Sequence, residues 1–123
     1  DEPPNDPVGV QREKALADGF DHPEYCGGVI EAAKGLWYGR DEIDLERVVA
    51  YTYRLRNRSA LKRLGFWSDR LDIAPHEMLE RLTQSDRNYP LLDPGGSREG
   101  RRDTRWRLIV NIPEEQLLEW REN

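Results

Sequence analysis

Cysteine is nearly absent from this chain: Cys26 stands alone among 123 residues. No internal disulfide can form, and a reducing cytoplasm is the compartment to expect. Histidine is nearly as scarce, with only His22 and His76. One thiol and two separated imidazoles cannot assemble the usual structural zinc set, and no EF-hand pattern replaces it, so neither a metal nor another cofactor is expected. No stretch approaches the roughly 18 consecutive apolar residues of a membrane span, and no signal-peptide pattern opens the chain. Lysine supplies only Lys14, Lys34 and Lys62 of the 19 basic residues. Arginine is the dominant cation, and its planar fork suits carboxylates and phosphates.

What is present is polar but patterned. Hydrophobic residues make up 37% of the chain and charged residues 35%, and Trp, Leu, Val and Ile recur at regular spacings. The length suits one domain that buries roughly two-thirds of its unfolded surface. A net charge of −5 argues against a wholly basic nucleic-acid binder. The charge is segregated, however. Residues 54–63 carry five basic residues and no acid, and residues 98–107 carry five arginines against two acids. Arg54, Arg56, Arg58, Lys62 and Arg63, with Arg98, Arg101, Arg102 and Arg105, are the candidate surface for nucleic acid or an acidic partner. The attraction of cations to a helix C-terminus is a sufficient structural reason for Arg54 and Arg56.

Periodicity predicts a predominantly helical α+β fold of five or six short helices, with two or three short strands near the C-terminal end. Residues 1–8 read as a mobile lead-in and 9–123 as one domain. The absent initiator Met and a short strand at Val8–Val10 suggest a start in mid-protein. Helices are expected over Gln11–Phe20, Val29–Tyr38 (Ile30, Ala33 and Trp37 inward, Gly39 as stop), Leu45–Leu55 (Asp44 as N-cap; Leu45, Val48, Val49, Thr52 and Leu55 inward) and Ala60–Leu71 (Ser59 as cap). In the last of these Ala60, Leu64, Trp67 and Leu71 share one face, and Gly65 inside it implies close packing. Pro75 suits the first position of a fifth helix reaching Thr83. Tyr89–Leu92 is a short extended run, 95–104 a polar Arg-rich loop, and Arg105–Ile112 an alternating strand with Trp106, Leu108, Val110 and Ile112 inward. Pro113 can begin a last helix carrying Leu117, Leu118 and Trp120.

No catalytic set emerges. His22 and Cys26 lack an oriented third member, and His76 sits at an ordinary helix start. Asp41, Glu42, Asp44 and Glu46 suit a helix start, where acids complement the dipole. The stretch Pro94–Arg102 has glycines and arginines able to hold an anion, but lacks the Gly-Lys-Ser/Thr ending of a P-loop. The expectation is a protein that binds rather than catalyses.

A set of these residues carries a resemblance. Glu13-Lys14-Ala15-Leu16-Ala17-Asp18, Asp21-His22-Pro23-Glu24-Tyr25-Cys26-Gly27-Gly28, Leu64-Gly65, Leu91-Leu92-Asp93-Pro94, Gly100 and Arg105-Trp106-Arg107-Leu108-Ile109-Val110-Asn111 stand in this order over most of residues 9–118. Together they resemble the C-terminal domain of AbiEi-type antitoxins, transcriptional regulators of type IV toxin–antitoxin and phage-defence systems. The resemblance implies a non-catalytic domain paired functionally with a nucleotidyltransferase-like toxin. It also implies a full-length protein that binds operator DNA through a winged helix, which this chain lacks, and represses its own operon. It offers no catalytic residues. The alternative is a nucleic-acid-contacting module using 54–63 and 98–107. Homodimerisation is left open.

Overall fold

A proline fixes φ near the helical value and lacks only an N–H that a first turn cannot use, so Pro7 begins a helix. In the computed structural model, which describes residues 7–73 and 76–122, that helix is α1, Pro7–Asp21. The short strand expected at Val8–Val10 is thus helical; residues 1–6, most of the expected lead-in, lie outside the described residues. α2 (Val29–Tyr38), α3 (Leu45–Arg54), α4 (Arg58–Arg70) and α5 (His76–Thr83) follow. Pro75, expected to open α5, lies outside the described residues. A two-stranded antiparallel sheet, β1 (Arg101–Asp103) and β2 (Leu108–Val110), completes a predominantly helical α+β fold.

Side-chain chemistry sets the helix ends. The Asp44 carboxylate accepts from the Glu46 N–H at 3.0 Å, as an N-cap should. At α4 the cap is Asn57, whose Oδ1 accepts from Ser59 N at 3.0 Å, and not Ser59 itself. Asn57 also donates to the Asp21 carboxylate at 2.7 Å, so the start of α4 is tied to the end of α1. On α2 the buried face is Val29, Ala32, Ala33 and Leu36. The expected Ile30 and Trp37 only flank the core, because α2 is rotated to meet α1.

α4 runs through the middle of the core, with every residue from Ala60 to Ser68 buried. Leu64, Trp67, Val48, Leu36 and Phe20 are fully enclosed, each such side chain adding roughly 1.5–3 kcal/mol of transfer free energy. Leu55, expected to point inward, is 39% exposed, since α3 ends at Arg54 and the chain turns outward there. Trp106 packs directly on the α4 backbone at Gly65, where any β-carbon would overlap its ring.

The sheet differs from its sequence pattern in two ways. Part of the expected loop 95–104 is β1, which pairs Arg101 with Val110 and Asp103 with Leu108. Gly100 permits the approach, since a β-carbon there would strike the Val110 carbonyl. The expected strand from Arg105 is shortened, because residues 104–107 form the connecting turn. The Trp106 N–H is held by the Asp103 carboxylate at 2.8 Å, and Arg107 takes φ 56°. The turn still buries Trp106, so alternation persists without extended backbone. Along the other edge of β2, Ile109 N donates to Pro90 O at 2.8 Å and Leu92 N to Ile109 O at 2.9 Å. The last expected helix is two 3-10 turns, Glu114–Gln116 and Glu119–Glu122, with Leu117 buried between them.

Candidate functional site

A basic side chain is available to a ligand only if nothing nearer holds it. By that test the nine candidate cations separate. Lys62 and Arg63 are buried and do not belong to an exposed surface. Lys62 donates to the Asn88 carbonyl and lies 3.5 Å from the Asp86 carboxylate. Burial pulls its pKa down, and Asp86 opposes that pull. Arg63 donates to Phe20 O at 2.9 Å, at the C-terminal end of α1, and to Leu91 O at 3.2 Å. Burial lowers its pKa too, against the pull of Glu24, Asp21 and Asp93.

These contacts belong to a larger pattern. Arg58 donates to Leu82 O, Arg107 to Gln84 O at 2.6 Å, Lys62 to Asn88 O and Arg63 to Leu91 O. Four cations thus fasten main-chain carbonyls from the last turn of α5 through the irregular segment that follows it, between residues 82 and 91. Charge-assisted bonds of this kind satisfy carbonyls that no helix or sheet provides for.

The second basic stretch is mostly committed as well. Arg105 donates to Asp69 at 2.8 Å and Glu80 at 3.0 Å, and the same Asp69 carboxylate accepts from the Trp106 indole N–H at 3.4 Å. Arg101 and Arg70 both grip Glu114, whose pKa is lowered first by the Arg70 hydrogen bond, against an opposing effect of burial, and further by Arg101. Arg102 lies over the Tyr89 ring at 4.5 Å.

Arg54, Arg56 and Arg98 remain. All three are exposed, and among the described residues none forms an ion pair, although Arg54 lies 5.7 Å from the centre of the Tyr51 ring. Arg54 and Arg56 share one place, a cleft of about 540 Å³ at the α3–α4 elbow, with Tyr53, Asn57, Arg58 and Leu61. Arg98 lies in the other basic stretch, so the structure does not merge the two stretches into one anion site. Tyr53, 51% exposed, was not among the expected site residues; its place outside the apolar stripe of α3 was the one signal in the sequence.

The candidates for catalysis are placed otherwise. The His22 ring stacks on Tyr25 at 5.1 Å, and Cys26 is exposed. The Nε2 of His76 lies 3.0 Å from the Ser68 carbonyl. Among the described residues no group of three or more His, Cys, Asp or Glu side chains is gathered to hold a metal, and no helix is long and apolar enough to cross a membrane. No family model, no curated protein and no solved structure matches this chain.

Proposed function

We propose that the chain is a non-catalytic regulatory domain of the AbiEi antitoxin kind, cytoplasmic, serving a full-length protein that binds operator DNA and neutralises a nucleotidyltransferase-like toxin. The observation that carries this reading is the ordered set of residues from Glu13 to Asn111 that resembles that family. Its members occupy positions that determine a fold. Glu13 holds the start of α3, Gly65 receives Trp106, Gly100 lets β1 approach β2, and Asn111 donates to the Asp93 carbonyl at 2.8 Å while accepting from the Asp93 N–H at 2.9 Å. Such residues support kinship of fold; the role in neutralisation is carried by the resemblance.

The test is growth. Co-expression of the full-length protein with the toxin encoded beside it should restore growth, and absence of rescue by a folded protein would sink the assignment. Arg98→Glu with Arg102→Glu should reduce rescue while leaving the fold intact, since neither side chain pairs with a described carboxylate and surface changes usually move stability by less than about 0.5 kcal/mol.

A second reading, a module that contacts nucleic acid, is favoured by one observation. Arg54 and Arg56 stand together at a cleft without an acidic partner among the described residues, in a chain of net charge −5.

A further inference from the structure

We propose that the α3–α4 elbow binds a nucleotide unit, a phosphate beside a stackable base, gripped by Arg54 and Arg56 and stacked on Tyr53. This deepens the second reading and rests on it.

The cleft of about 540 Å³ is lined by Tyr53, Arg54, Arg56, Asn57, Arg58 and Leu61. Its three arginines differ from the five arginines that pair with carboxylates. Arg12 pairs with Glu42 at 2.7 Å, Arg47 with Glu13 at 3.3 Å, and Arg70, Arg101 and Arg105 with Glu114, Glu114 and Asp69. Among the described residues no carboxylate pairs with Arg54, Arg56 or Arg58. Three clustered guanidinium groups repel one another, and a phosphate relieves that repulsion through the forked geometry arginine offers. Arg58 is anchored to the Leu82 carbonyl, while Arg56 has no described side-chain partner and Arg54 only the Tyr51 ring at 5.7 Å, so these two are the groups able to close on a ligand.

The backbone adds a second observation. Arg56 holds φ 58°, the left-handed conformation that follows a helix end and that glycine adopts at no steric cost. A large cation occupies a position where glycine would be more stable. Asp72 and Arg107 hold the same conformation at their own turns, so at Arg56 it sets the turn that carries the side chain to the cleft. The third observation is Tyr53, an aromatic ring 51% exposed on the same cleft. Basic groups beside an exposed ring are the combination by which proteins hold unpaired nucleotides, the cations taking phosphate and the ring taking a base face. An acidic peptide would use the arginines without needing the ring.

The test is fluorescence anisotropy at low salt on the 123-residue chain, with a short labelled single-stranded oligonucleotide as probe and a nucleoside monophosphate and inorganic phosphate as competitors. Arg54→Ala with Arg56→Ala should weaken oligonucleotide binding by about tenfold or more. Tyr53→Leu should weaken the oligonucleotide and the monophosphate but leave competition by inorganic phosphate unchanged. Arg56→Gly should weaken binding yet raise the melting temperature by about 3–6 °C, as relief of a left-handed residue requires. Competition by the monophosphate assigns the site to a single nucleotide, and binding of the strand alone assigns it to nucleic acid. Oligonucleotide affinity unchanged by the arginine substitutions, or by Tyr53→Leu, overturns the proposal. Growth rescue by the full-length wild type is scored separately, so failure of the antitoxin reading is distinguishable from failure of this site.

Discussion

Trp106 rests on the backbone of α4 at Gly65, and each residue is explained by the other. The glycine leaves the room that the indole fills, and the indole, 2% exposed, seals the bare stretch of helix. The contact joins the clearest helix to the turn between the strands, and Asp69 holds the indole N–H from the same helix at 3.4 Å.

Gly65→Ala should therefore destabilise by about 2 kcal/mol, overpacking outweighing the gain of about 1 kcal/mol in helix propensity. Trp106→Ala should cost about 3–5 kcal/mol. In the Trp106→Ala background the sign of Gly65→Ala should reverse, since the propensity gain remains and the clash is gone. Denaturant unfolding of the two single variants and the double variant measures this coupling. Additive costs would show that the two residues do not bear on each other.

Glu13 joins α1 to α3. It is 2% exposed, accepts from the Asp44 N–H at 2.6 Å and pairs with Arg47 at 3.3 Å. Glu13→Ala leaves the half-buried Arg47 guanidinium with only Asp44 at 3.7 Å and a helix-start N–H unpaired, and should cost about 2–3 kcal/mol. Glu13→Gln keeps an oxygen for Asp44 and loses only the charge, so its cost should be about half as large. Thermal unfolding of both variants decides the point, and equal losses would mean the hydrogen bond to Asp44 contributes nothing.

Glu114 gives the fold a weak dependence on acid. The Arg70 hydrogen bond, and then Arg101, hold its carboxyl below the ordinary value of about 4.3. A carboxylate depressed on folding contributes stability at pH above that ordinary value and loses it as pH falls through the folded value. The group is more than half exposed, so solvent screening limits the contribution to less than about 1 kcal/mol. Wild-type stability should fall more steeply than that of Glu114→Gln below about pH 4, and high salt should narrow the gap. Parallel pH profiles for the two proteins would remove Glu114 from the account.

Local chemistry explains which parts of this fold were legible in the sequence. The stripe of Ala60, Leu64, Trp67 and Leu71 repeats with the helical period, and all four are buried. Asp44 caps α3 and Gly39 ends α2 because capping depends on residues within one turn of the helix end. The cap of α4 was misplaced by two residues because Asn57 and Ser59 are both competent caps. Asn57 prevails through its bond to Asp21, a partner that only tertiary structure supplies.

The chain by itself determined the mainly helical class, the inward faces of α4 and, Leu55 aside, of α3, and the need for close packing at Gly65, since each follows from residues a turn or two apart. Tertiary structure decided what the cations do. Lys62 and Arg63 look like surface charges in a basic run, yet each is buried against carbonyls far along the chain, at Asn88, Phe20 and Leu91. Arg105 is drawn to Asp69 and Glu80, while Arg54 and Arg56 meet no described carboxylate. Tertiary structure also turned part of an apparent loop into β1, because a strand of three residues exists only through its partner. Charge is written in composition, but whether a charge is satisfied depends on which distant atoms folding brings within reach.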